Sequence, residues 1–143
     1  MTIDLYGTVP LYGTPPLELE SYQPGVCNIG PAEISRRRKI GHLGVALTLV
    51  ILMVELAVGW PAWTRLVTGL TVGLAASGYL QAYYHFCAGF GSRGVYNFAS
   101  PGQVNNVSDR AAHLADLAKA RRIELMALGV GLLFALAAFA LPV

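Results

Sequence analysis

The sequence predicts an all-α membrane protein with three transmembrane helices, an antiparallel hairpin plus a third span, behind a proline-rich N-terminal tail. Three observations predict it. Of 143 residues 55% are hydrophobic and only 13% charged, against roughly 25% charged in an ordinary soluble domain. The apolar residues gather into three runs, each close to the ~20 residues that cross a bilayer as helix. Nine of the ten Lys and Arg residues flank those runs on one side. A net charge of +2 is too small for a general nucleic-acid binder. The expected partners are membrane lipid and other membrane protein subunits, with no nucleic acid.

Residues 1–30 read as an extended cytoplasmic tail rich in Pro, Gly and Tyr. Five of the eight prolines fall within the first 39 residues (Pro10, Pro15, Pro16, Pro24 and Pro31), and LYGTVP at 5–10 is followed by LYGTPP at 11–16. Such density favours extended or polyproline conformations. With few apolar residues to offset chain entropy, residues 1–24 are expected to order only on a partner.

Residues 31–143 read as the three-helix domain. Pro31 suits the first helical position, Glu33 the positive first turn, and Glu33 and Arg37 form an i,i+4 pair, so one helix should run from Pro31 through a first span at about 40–60. Glu55 is its one charge. Pro61 ends that helix, and only a tight connection carrying Arg65 precedes the second span at about 66–86, so the two form an antiparallel hairpin. Trp60, Trp63, Tyr83 and Tyr84 fall where interfacial aromatics are expected. Next comes a Gly-rich aromatic stretch, residues 87–102, which lacks the Gly-Lys-Ser/Thr ending of a phosphate loop and follows no strand. It reads as a re-entrant or surface turn held down by Phe90, Tyr96 and Phe98. A helical pattern resumes at Asp109 with Ser108 as its N-cap, and the third span follows at about 123–143.

Arg36, Arg37, Arg38, Lys39, Arg93, Arg110, Lys119, Arg121 and Arg122 share one side of this layout, with Arg65 alone on the other. The positive-inside rule then places the N-terminus and the 87–122 loop in the cytoplasm of a bacterial inner-membrane, multi-pass protein. No charged n-region with a short apolar core opens the chain, so the first span should serve as its own insertion signal. Both cysteines would face a reducing compartment, which disfavours a disulfide.

Few residues invite chemistry. His42 and His85 lie at similar depth on antiparallel neighbours, a pair able to ligate haem, a chlorin or a metal. Cys27 and Cys87 in the same layer would complete a two-Cys, two-His zinc set, although the spacing matches no zinc-finger pattern. The plainer alternative is that each histidine anchors a helix end or bonds a neighbour. Asp109, His113 and Asp116 share one helical sector and read as a solvated or ion-paired face. Gly69, Gly73 and Ser77, continued by Gln81, form a small-residue helix-packing row with a polar end. Glu55 inside a span requires a partner, and the expected one is Arg65 in a hairpin-locking pair, with Thr68 able to donate a hydrogen bond and a contact with a foreign helix as the remaining alternative. No nucleophile and base stand together, so no enzyme and no particular cofactor are predicted.

The strings CNIGPAEI at 27–34 with RRR at 36–38, and FCAGFG at 86–91 with GVYNF at 94–98, resemble a group of small, uncharacterised bacterial membrane proteins. The resemblance spans residues 27–143 and implies that the cysteine-bearing layer belongs to that group's design. It carries no catalytic role, cofactor or partner. The expected function is an accessory or scaffolding subunit of a larger membrane assembly, such as a respiratory or photosynthetic complex. The alternative is a small cofactor- or metal-binding protein using the Cys/His cluster.

Overall fold

A computed structural model describes residues 21–140. The six-residue repeat and the last three residues lie outside the described residues, as does most of the tail expected to order on a partner. The architecture is mostly helical: α1 (Pro31–Val58), α2 (Arg65–Tyr83), a short α3 (Ala88–Arg93) and α4 (Arg110–Phe139), with a two-stranded ribbon of β1 (Val95–Tyr96) and β2 (Asn105–Asn106) between α3 and α4. The ribbon is antiparallel, pairing Val95 with Asn106 and Tyr96 with Asn105.

Local chemistry accounts for the boundaries. α1 starts on Pro31 behind Gly30 and stops where Gly59 adopts the left-handed conformation, its amide bonding back to Glu55, a stop that glycine accepts without steric cost. Pro61 opens a single 3₁₀ turn over Ala62–Thr64 that reverses the chain into α2. α4 is capped by Asp109, whose carboxylate accepts from the Ala112 amide at 2.8 Å. The N-cap is thus Asp109 and not Ser108, because a carboxylate bonds the free amides and favours the helix dipole. The stretch expected to be a turn contains a helix, α3, with Phe90 and Gly91 buried. From Arg110, α4 continues without a break through the apolar run to Phe139.

The helices lie in a row with α2 in the middle, packed on α1 along one side and on α4 along the other. Missing side chains permit both approaches. A Cβ on Gly78 would come 2.6 Å from the Gly41 nitrogen on α1, and one on Gly131 would come 2.5 Å from the Gly69 carbonyl on α2. Such contact replaces the hydrophobic driving force where lipid is as apolar as the side chains. Thr48 adds a polar tie, its hydroxyl 2.8 Å from that of Thr71. α1 and α4 are long and apolar enough to cross a membrane. Most of each apolar stretch is exposed, including Leu43, Met53, Leu125 and Leu133. α2 falls short of that apolarity because Arg65, the threonines, Ser77 and Gln81 lower it.

Beyond the end of α2, residues 21–30, α3 and the ribbon close over one end of the row. Phe86, Ala88, Ala120 and Ile123 form one buried cluster, and Ile29, Cys87 and Phe90 a second. Residues 21–30 therefore pack as part of this body.

Candidate functional site

The capped end holds most of the polar residues that the fold buries. Asn28 is the hinge of the arrangement. Its side chain accepts from the Cys87 amide at 2.7 Å and donates to the Cys87 carbonyl at 3.1 Å, so one amide satisfies both polar groups of a buried residue. Asn97 completes the link through its backbone, donating to the Asn28 carbonyl at 2.9 Å and accepting from Gly30 at 2.8 Å. Gln81 does comparable work from α2, with Oε1 accepting from the Ala88 amide at 3.0 Å and Nε2 donating to Ser77 at 2.8 Å. On α4, the fully buried Asp116 accepts from the Tyr22 hydroxyl at 2.9 Å and from the Gly25 amide at 2.7 Å. Tyr22 also stacks on Tyr96, ring centroids 4.5 Å apart.

Burial and this carboxylate hold the Tyr22 phenol well above its ordinary range. Asp116 is thus no part of a solvated face. Of its expected companions, Asp109 caps the helix and His113 Nε2 lies 3.3 Å from the Ser92 carbonyl.

Electrostatics at this end centre on Arg37. Its guanidinium lies 3.9 Å from the buried Glu33 carboxylate, which also faces Arg36 at 3.8 Å, the ion pair expected from spacing. The same Arg37 donates to Cys87 Sγ at 2.9 Å and sits 6.0 Å over the Phe90 ring, which Arg93 approaches at 5.5 Å. Burial nevertheless dominates and raises the Cys87 thiol above the ordinary 9.0, with Arg37 opposing. Burial likewise raises Cys27, whose thiol donates to the Ser21 carbonyl at 3.3 Å. Both thiols are free and buried.

The expected four-ligand set is not assembled as a metal site. Among the described residues no three His, Cys, Asp or Glu side chains are placed to hold a metal ion. His42 Nδ1 instead lies 2.7 Å from the Tyr79 hydroxyl. His85 lines a cleft of about 560 Å³ with Arg38, Tyr79, Ala82 and Tyr83.

At the far end, Glu55 is buried and accepts from the Thr68 hydroxyl at 2.9 Å. Arg65, also buried, donates to the Ala138 carbonyl on α4 at 3.3 Å. Of the two candidate partners, Thr68 donates to Glu55, and Arg65 also reaches α4 through Ala138. Gly69 and Gly73 face α4 as a packing row requires. With Ser77, Leu70, Leu128 and Glu124 they line an open apolar groove of about 340 Å³ between α2 and α4.

Sequence reasoning missed Asn28, Asn97, Tyr79 and the role of Asp116. The signal available was an amide set inside an otherwise apolar or aromatic string, as in CNI and YNF. Comparison with family models, curated proteins and solved structures finds no match to the chain.

Proposed function

We propose that the protein is a membrane-embedded accessory or scaffolding subunit of a larger membrane assembly. The observation that carries this reading is the row arrangement. A row of three helices leaves both broad faces of α2 open, bordered by exposed leucines, whereas a bundle that closes on itself would cover one of them. The groove between α2 and α4, floored by Gly69, Gly73 and Gly131, has the small-residue character that lets a foreign helix approach closely. In this reading α2 is the middle span. Its 19 residues would extend about 28 Å at ~1.5 Å per residue, enough for the hydrocarbon core. The arginine-rich capped end then faces the cytoplasm of a bacterial inner membrane.

Leu70 and Leu128 stand on the groove rim, 71% and 64% exposed. Replacing both with alanine should leave insertion and thermal stability nearly unchanged while reducing stoichiometric co-purification of neighbouring subunits in mild detergent. Unchanged co-purification would remove the groove from the reading. The cofactor alternative would need a visible absorption band or bound metal lost on His42→Ala or His85→Ala. No described cluster of ligands favours it.

A further inference from the structure

The turn leaving α2 contains a departure from ordinary backbone chemistry. The Phe86 amide bonds the Gln81 carbonyl at 3.0 Å and the His85 amide bonds that of Ala82 at 3.4 Å. This is the paired pattern of a Schellman helix end, in which the residue at the position of His85 is left-handed and usually glycine. Here it is histidine with φ at 50°, the one positive-φ residue other than glycine among those described. A side chain in that conformation is strained, and strain of this kind collects where the side chain itself is used. The turn's hydrogen bonds involve only the His85 backbone, so they do not require an imidazole.

His85 lines the cleft between α1 and α2 together with Arg38, Tyr79, Ala82 and Tyr83, and no acidic residue lines it. Arg38 belongs to the basic run at the start of α1, but Glu33 engages Arg36 and Arg37. Among the described residues Arg38 has no acidic partner within ion-pair distance. The cleft therefore combines an uncommitted guanidinium, an imidazole and an exposed tyrosine. It sits two residues before the apolar stretch that begins at residue 40. Guanidinium binds phosphate with matched geometry, and basic pockets between spans at the cytoplasmic surface suit anionic headgroups.

We propose that this cleft binds the phosphate of an anionic glycerophospholipid, with Arg38 as the main cation and His85 as a second donor. The proposal rests on the membrane reading above. That reading and this one fail separately: recovery of the full chain in the soluble fraction without detergent contradicts the first and, with it, the lipid site. For chain extracted in detergent, native mass spectrometry with added phosphatidylglycerol or phosphatidylcholine reads the second. The expected result is several-fold preferential retention of phosphatidylglycerol, lost in Arg38→Gln and reduced in His85→Gly. His85→Gly should also unfold a few degrees higher than the native chain, because it relieves the left-handed strain. Equal retention of the two lipids would overturn the proposal, as would preference that survives Arg38→Gln. So would displacement of phosphatidylglycerol by millimolar inorganic phosphate, which would assign the cleft to a soluble anion. A lower unfolding temperature in His85→Gly would overturn the role of His85, since its imidazole would then be structural.

Discussion

Asn28 and Cys87 are 59 positions apart, yet one side chain satisfies both backbone groups of the other. Asn28→Ala leaves the buried Cys87 amide without its acceptor, while the Cys87 carbonyl still accepts from the Phe90 and Gly91 amides, at a cost of about 1–3 kcal/mol. It should lower the unfolding temperature in detergent without moving the protein out of the membrane fraction. Thr68→Val removes the hydroxyl that donates to the buried Glu55. It should destabilise by a similar ~1–3 kcal/mol and by more than Glu55→Gln, which keeps an acceptor for Thr68. Equal effects in thermal melts would mean that the charge has another main partner. Tyr22 makes a pH prediction. Its phenol is raised above the ordinary 10.0 in the fold, first by burial and then by Asp116. The unfolded chain therefore releases this proton first, and stability falls as pH rises above about 10. Tyr22→Phe should flatten that fall. At this scale the sequence was legible only for neighbours: the Glu33 and Arg37 pair follows from helical spacing. The bonds of Asn28, Gln81 and Asp116 depend on which loops meet, and no local pattern encodes that.

Helices were far more legible than loops, because apolar runs, Pro31, Pro61 and the alternation of small residues act locally. The Gly-rich stretch misled for the same reason. Ala88–Arg93 has little helix propensity, and burial of Phe90 with Ile29 and Cys87 and of Gly91 against Asp116 on α4, with Gln81 bonding its first amide, overrides it. The small-residue row was readable as packing, whereas which helix it meets was not, since only tertiary structure puts α2 between the other two. Two glycines test that packing. Gly78→Ala forces α1 away from α2, because its Cβ would lie 2.6 Å from Gly41, and should destabilise by about 1–3 kcal/mol. Gly129, whose added Cβ would meet nothing within 4 Å, should instead gain about 0.5–1 kcal/mol on Gly129→Ala from helix propensity. Comparable melts for the two variants would contradict the close-packed row.

The whole molecule is a row of helices closed at one end and open along its apolar sides. The orientation we propose for it rests on the division of nine cationic residues against one. The native thiols cannot report it, since both are buried and would resist labelling from either side. They serve instead as a silent background for new cysteines. Ser100→Cys at the capped end and Trp63→Cys at the turn both fall on exposed positions. An impermeant maleimide on intact cells should label the second and reach the first only after permeabilisation, and the reverse pattern would invert the topology. The site was the least legible feature of all, because a cleft formed by Arg38, Tyr79 and His85 exists only once α1 and α2 pack. In the role we propose, this protein's exposed helix faces are covered by other subunits. The most direct test of that role is the mass of the particle extracted in mild detergent from cells at native abundance, measured by native mass spectrometry. The expected particle contains this chain in fixed stoichiometry with at least one different subunit. A particle holding this chain alone, as monomer or homo-oligomer, would contradict that role.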